Sequence, residues 1–230
     1  TSGGIVQTVS SGGGGIPDDV TNRWPADEGS GTTAAPDIGS IDLTLIRWSV
    51  TGWRADSNAV GGYYLDHDGV DDLTETPTTF DINQQQYTVM AWFEFQSIDA
   101  VDFMSGQNAT SNEGWRFTVD TDGSSLRLAH VSDSFNVVTS FGTIDTTQPY
   151  FIAAAGDGDN AEAYLYDNNG QLATGSGTGA RGQSSDSRLY LGGTGANGEY
   201  QEVDVDAPAV STTTQLSENQ IEQYWQETQR

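Results

Sequence analysis

From Pro17 onward, apolar and polar residues alternate in short runs, each closed by Gly, Asn, Asp, Ser or Thr. Alternation with a period of two puts successive side chains on opposite faces of a strand. On that pattern strands are predicted over 43–50, 63–66, 87–95, 101–104, 115–120, 126–131, 135–141, 150–155, 161–167, 188–191 and 202–206. Thr-Asp-Gly at 121–123 and Asp-Asn-Asn-Gly at 167–170 read as hairpin turns, because Asn, Asp and Gly accept the positive φ that tight hairpins need. Many short strands at this spacing predict a sandwich or barrel. The period changes near the end. Ser217 is placed to cap a helix and Gln220 to complete a capping box. Leu216 and Ile221 are spaced as a hydrophobic staple, and Ile221, Tyr224 and Trp225 line one face.

Residues 1–16, TSGGIVQTVSSGGGGI, stand apart from this pattern. One β-branched alternation, Ile5-Val6-Gln7-Thr8-Val9, is joined to the rest by the flexible run Gly12 to Gly15. The plain reading is a disordered tail. The sharper one is an assembly arm in which Ile5, Val6 and Val9 add a short strand to an edge on another subunit. With no internal repeat and no second linker, residues 17–230 are expected to be one domain.

Charge changes the picture most. There are 33 acidic residues and 8 basic ones, a formal net charge of -25. Every basic residue is an arginine: Arg23, Arg47, Arg54, Arg116, Arg127, Arg181, Arg188 and Arg230. Such a surface repels itself in dilute buffer, whereas in about 1 M salt the Debye length falls to about 3 Å and the repulsion is screened. A lysine-free, acidic chain with 6 Trp, 9 Tyr and 8 Phe is too aromatic for disorder and reads as adapted to near-saturated salt. That points to a salt-in archaeon or its virus; an ordinary acidic secreted protein is the alternative. No basic stripe exists to replace counterions on phosphates, so no nucleic-acid partner is expected. Without cysteine there is no disulfide, thiolate nucleophile or zinc-thiolate site. No apolar run reaches membrane-spanning length, so no membrane insertion is expected.

Several segments resemble laminin-G-like domains. Arg23 to Thr32 (RWPADEGSGT) is similar to the family's opening W-x-x-D-E-G-S-G-T. Leu65 to Leu73 (LDHDGVDDL) resembles its F-D-G-V-D-D-Y strand and turn, and Tyr87 to Phe93 (YTVMAWF) its F-T-V-S-A-W-V core strand. Tyr164 to Gly170 resembles the L-Y-V-N-G hairpin, Arg188 to Gly193 the late L-Y-I-G-G strand, and Leu216 to Ile221 the L-S-x-x-E-I helix start. The matches keep family order from Trp24 to Tyr224. The resemblance implies an all-β fold, a two-sheet antiparallel jelly-roll sandwich of the concanavalin A-like type with a short C-terminal helix. It does not fix a function.

The candidate sites follow from residue types. Trp24, Trp92 and Trp115 fall on predicted core strands, and Trp225 on the helix. Trp48 and Trp53 flank Thr51-Gly52 in a polar stretch that runs to Tyr63, so Trp48, Trp53 and Tyr63 are candidate platforms for a sugar ring, which stacks on aromatic faces. Laminin-G-like domains often hold one calcium. Asp37 and Asp68 are the first candidates for its oxygen ligands, although haloadaptation alone also strews aspartates; His67 is expected in a turn. No other cofactor is expected. In Glu202-Val203-Asp204-Val205-Asp206 three acids share one face. Laminarinase-type hydrolases of the same jelly-roll class use an E-x-D-x-E strand, so Glu202 is a candidate nucleophile, with a carboxyl spacing compatible with retention. Asn108-Ala109-Thr110, in a polar loop expected over 105–113, is a glycosylation sequon.

The expected function is non-enzymatic: a lectin-like virion surface protein of a haloarchaeal virus, such as a spike, turret, decoration or tail-fibre subunit, in an extracellular high-salt setting. The absence of a signal-like segment after Thr1 favours this over a secreted protein. Its expected partners are other virion proteins, its own copies, and host surface glycans or glycoproteins. The alternatives are a haloarchaeal cell-surface carbohydrate-binding or adhesion domain, and a glycoside hydrolase using Glu202.

Overall fold

A computed structural model describes residues 15–46, 52–78, 80–82, 84–108, 113–120, 122–132, 135–182, 186–194 and 198–229. Its strands are, in order, β1 (Asn22–Arg23), β2 (Thr33–Ala34), β3 (Leu43–Ile46), β4 (Trp53–Ala55), β5 (Tyr63–Asp68), β6 (Leu73–Glu75), β7 (Gln86–Phe95), β8 (Asp102–Asn108) and β9 (Gly114–Val119). They continue with β10 (Leu126–Val131), β11 (Phe135–Phe141), β12 (Tyr150–Asp157), β13 (Asn160–Asp167), β14 (Gly170–Thr178), β15 (Ser187–Leu191), β16 (Gly193–Thr194), β17 (Glu199–Tyr200) and β18 (Glu202–Ser211). One helix, α1 (Glu218–Glu227), closes the chain.

The strands form two large antiparallel sheets and a separate antiparallel pair, β16-β17. Sheet A runs β14-β13-β12-β7-β18-β5-β4, with β1 also on β18; sheet B runs β11-β10-β9-β8-β15-β6-β3-β2. The expected two-sheet sandwich with a C-terminal helix is what the chain forms. β18 is longer than its sequence pattern suggests. It pairs with β5 through Val205, turns at Ala207 (φ 46°) and Pro208, and pairs with β1 from Ala209. Proline donates no ladder hydrogen bond, so it sits at the bulge between the two pairings.

The main core lies between the sheets. Phe93 of sheet A meets Phe103 of sheet B edge to face at 5.0 Å, and Phe103 lies 5.8 Å from Phe117. Trp115 stacks on Tyr87 at 5.4 Å. A second core covers the outer face of sheet A, where Met90, Trp92, Phe151 and Tyr166 pack under Leu216, Ile221, Tyr224 and Trp225. This explains why β7 is apolar on both faces: Val89, Ala91 and Phe93 face the main core, and Met90 and Trp92 face the helix. Trp92 donates to Thr228 Oγ1 at 3.0 Å, and Trp225 donates to the Asp167 carbonyl at 3.0 Å, so the helix is pinned by hydrogen bonds as well as burial. Its start is capped as expected: the Gln220 side-chain oxygen accepts from the Ser217 backbone N–H at 3.0 Å and the Ser217 hydroxyl at 2.9 Å.

Candidate functional site

The structure corrects several expectations. Trp53 is not an exposed platform. It lies on β4 opposite Leu65, faces the main core, is only 8% exposed and donates its indole N–H to the Gly31 carbonyl at 2.9 Å. Tyr63 is half-buried, its ring lying against Gly29, where a Cβ would collide with it. Trp48 falls outside the described residues, as do Ile5, Val6 and Val9. Asn108 ends β8 and donates its backbone N–H to the Glu113 carbonyl at 3.1 Å; Ser105 to Gln107 are strand, not loop. His67 is a buried strand residue rather than a turn residue. Its Nδ1 meets the Val203 carbonyl at 3.1 Å and its Nε2 the Thr74 hydroxyl at 3.0 Å. A carbonyl only accepts, so Nδ1 carries the hydrogen and Nε2 accepts from Thr74. Burial lowers the His67 pKa to about 4 and keeps the ring neutral. Gly192, at φ 82°, lies against this ring, and a Cβ there would collide with it.

Asp37 and Asp68 do not join each other. Asp37 sits 3.6 Å from the Arg23 guanidinium, a poor neighbour for a cation. Asp68 instead gathers Asp71 and Asp72, with one carboxylate oxygen of each within 4.8 Å of the others. Asp68 Oδ1 accepts from the Val70 N–H at 2.8 Å and the Asp71 N–H at 3.3 Å, which folds the Asp-Gly-Val-Asp turn back on itself. Asp72 is buried, and its Oδ1 has no hydrogen-bond partner. Burial and the neighbouring Asp68 raise its pKa to about 6. The three carboxylates would offer three of the roughly six to eight oxygens that a calcium ion takes.

The acids of β18 lie on one outward face, as their alternation predicts, with Val203 and Val205 in the core between them. Asp204 is buried and held by Arg54 at 2.6 Å and by Gln96 Nε2 at 2.8 Å. Asp206 accepts from the Val60 N–H at 2.8 Å, and Glu202 is exposed. Asp204 stands opposite Asp66 on one side and Glu94 on the other, so three carboxyls form one cross-strand row with Arg54 bridging Glu94 (3.1 Å) and Asp204. Burial and these acids raise the Asp204 pKa, against the pull of Arg54.

A polar pocket missed by the sequence reading opens on the outer face of sheet B. Phe117 and Val119 face the core, which turns Arg116 and Thr118 outward. The ladders put Thr118 opposite Asp102 of β8 and Arg127 of β10. The β16–β17 hairpin brings Glu199 to the same place. These residues and Asp120 line a cavity of about 330 Å³. Arg116 pairs with buried Asp102 at 3.0 Å, and the more exposed Arg127 with Asp120 at 2.6 Å. Burial, opposed by Arg116 and helped by contact with the Glu199 carboxyl, lifts Asp102 to about 7. The pocket therefore offers guanidinium donors and carboxyl acceptors, groups that a polyhydroxylated ligand meets with its own donor–acceptor hydroxyls.

Residues 68–222 match the Laminin_G_3 family model, described as the concanavalin A-like lectin/glucanases superfamily. The chain belongs to that superfamily. No curated protein matches this laminin-G-like domain in sequence. Among solved structures it is similar to the Trypanosoma rangeli sialidase in complex with 2,3-difluorosialic acid, with a TM-score of 0.67 and 12% identity over 97% of this chain and 36% of the other. It thus spans about a third of that sialidase. It is also similar to domain 4 of the extracellular arabinanase AbnA from Geobacillus stearothermophilus in complex with arabinotriose, with a TM-score of 0.61 and 14% identity over 92% and 98% of the two chains. A third likeness is to the binding domain of Botulinum Neurotoxin DC in complex with SialylT, with a TM-score of 0.60 and 9% identity over 92% and 52%. At these identities the likeness shows the fold.

Proposed function

We propose that this laminin-G-like domain is a non-enzymatic glycan-recognition module on the surface of a virion of haloarchaea, serving as a spike, decoration or tail-fibre subunit. The observation that carries the glycan reading is the polar pocket of Asp102, Arg116, Asp120, Arg127 and Glu199. Superfamily membership supports it, as do structural neighbours whose complexes contain sialic acid derivatives or arabinotriose. The high-salt setting rests on the net charge of -25, the absence of lysine and the row of three facing carboxyls. Calcium at Asp68, Asp71 and Asp72 would brace the turn between β5 and β6, and residues 1–16 would tie the domain to other virion proteins. The non-enzymatic reading is supported by the engagement of Asp204 with Arg54 and Gln96 and of Asp206 with the Val60 N–H, contacts that hold both acids in structural roles. The test is a panel of oligosaccharides and haloarchaeal surface glycans probed in about 3 M salt, where the Debye length is below about 3 Å, with binding and reducing-sugar release read together. Binding without release is expected, with Glu202→Gln matching the wild type. Release by the wild type that Glu202→Gln lacks contradicts the non-enzymatic reading, and no binding to any glycan contradicts the recognition reading.

A further inference from the structure

The two longest edge strands of the sandwich lie side by side. β14 ends sheet A and pairs with β13 alone, while β11 ends sheet B and pairs with β10 alone. The remaining ends, β4 and β2, are three and two residues long. β11 presses onto the inner face of β14, where a Cβ at Gly177 would collide with the Val138 carbonyl oxygen and one at Gly175 with the Thr139 hydroxyl. Long edges present unpaired N–H and C=O groups and are ordinarily guarded by charged residues, proline or a short length. This flank has neither charge nor proline on its strands and neither strand is short; the one such device it carries is a β-bulge in each strand, at Leu172 of β14 and at Val138 of β11. Residues 135–141 and 170–178 contain no Asp, Glu, Lys, Arg or Pro, in a chain with 33 acidic and 8 basic residues. Val137, 44% exposed, and Leu172, 49% exposed, lie on these two strands and are two of the three exposed large apolar side chains among the described residues.

We propose that this flank is a contact between two copies of this chain, with β14 pairing antiparallel to β14 of the second copy. Charge selects the occupant. Two copies carrying -25 each repel over most of their surface; β14 itself carries no charge, and the acids beside it are Glu162, opposite Ser176, and Glu218, whose carboxylate accepts from Gln171 at 2.9 Å, so the contact is expected where high salt screens them. A strand paired antiparallel with its own copy about a two-fold axis is self-complementary, each edge satisfying the other. The inference goes beyond the glycan reading and does not rest on it.

The test is the light-scattering mass of the full chain in high salt, for the wild type, Leu172→Lys/Ser176→Lys and the control Val70→Lys, whose parent side chain is 71% exposed elsewhere. Both replaced positions in the double variant are exposed, so the fold is expected to survive, checked by an unchanged melting curve. The expected result is twice 24.5 kDa for the wild type and Val70→Lys, and 24.5 kDa for the double variant. In parallel, backbone amide exchange within 170–178 should slow as wild-type concentration rises, and not in the double variant. A wild type that stays at the single-chain mass up to about 1 mM overturns the proposal. A double variant that still dimerises also overturns it and places the contact elsewhere, including the segment before Gly15.

Discussion

Replacing Arg54 by methionine removes the one guanidinium set into the carboxyl row on sheet A. Arg54 lies 2.6 Å from Asp204 and 3.1 Å from Glu94, and its guanidinium sits over the Tyr64 ring at 4.6 Å. Directly opposed residues in an antiparallel pair have Cβ atoms about 5 Å apart. Two like charges at that separation repel by about 3 kcal/mol at an effective dielectric of about 20. Removing one partner of a fully buried ion pair costs about 3–5 kcal/mol. Asp204 is 1% exposed but Arg54 is 36% exposed, so solvent recovers part of the loss and about 2–3 kcal/mol is expected. At about 2–4 °C per kcal/mol for a domain of this size, the melting temperature falls by about 4–12 °C. Two further readouts separate electrostatics from packing. The folded pKa of Asp204 is raised, to about 7, above its unfolded value of 3.8. Its proton therefore stabilises the fold fully below about 3.8, and that contribution is lost as pH rises through about 7. The Arg54→Met deficit should thus be larger at pH 8 than at pH 5, and smaller in an Asp204→Asn background. It should also shrink as salt rises from about 0.3 M to about 3 M, because the neighbouring acids are screened. Thermal melts in the four backgrounds measure all of this. A deficit independent of pH, salt and Asp204 would show that Arg54 matters only for covering Tyr64.

Three other outcomes follow from the same structure. Trp92→Ala, which empties the layer under α1 and orphans the Thr228 contact, should lose about 3–5 kcal/mol and be read as poor expression or a strongly lowered urea midpoint; normal stability would refute its place in that core. His67 titrates near 4 when folded and near 6.5 when unfolded, so its contribution is fully present above 6.5 and lost as pH falls toward 4. His67→Gln should lose less stability than the wild type between pH 7 and pH 4.5, and parallel urea midpoints would contradict this. Calcium at a hundredfold excess over its Kd should add about 2.7 kcal/mol to the wild type and nothing to Asp72→Asn, as seen in melting temperature; an equal response from both would remove the Asp68–Asp72 turn as its site.

The strand pattern and the helix were legible because they obey local rules: period two, Asx turns and a capping box. β14 was not. Gly170-Gln-Leu-Ala-Thr-Gly-Ser-Gly-Thr has the composition of a turn, and it is a strand only because β13 pairs with it and its glycines let β11 approach. Trp53 was misread because Arg54, Asp56 and Asn58 make its neighbourhood look like surface, whereas strand alternation turns Trp53 inward and Arg54 outward. The sheet B pocket was invisible because Asp102, Arg116, Arg127 and Glu199 are brought together only by the ladders and the β16–β17 hairpin. One signal did exist. Arg116, set between Trp115 and Phe117 in an apolar alternation, is an arginine aimed outward from a core strand in a chain that has only eight basic residues.

Arg127 gives the most direct test of glycan recognition in the sheet B pocket. Its pair with Asp120 is partly exposed, so Arg127→Ala costs the fold at most about 1 kcal/mol while removing a donor from the cavity. The measurement is calorimetric titration, in about 3 M salt, of wild type and Arg127→Ala with the oligosaccharide bound best on the panel. The predicted result is at least about tenfold weaker binding, a loss of about 1.4 kcal/mol, with a melting temperature within a few degrees of the wild type. Unchanged affinity in Arg127→Ala would contradict recognition in this pocket and move the sugar to another surface.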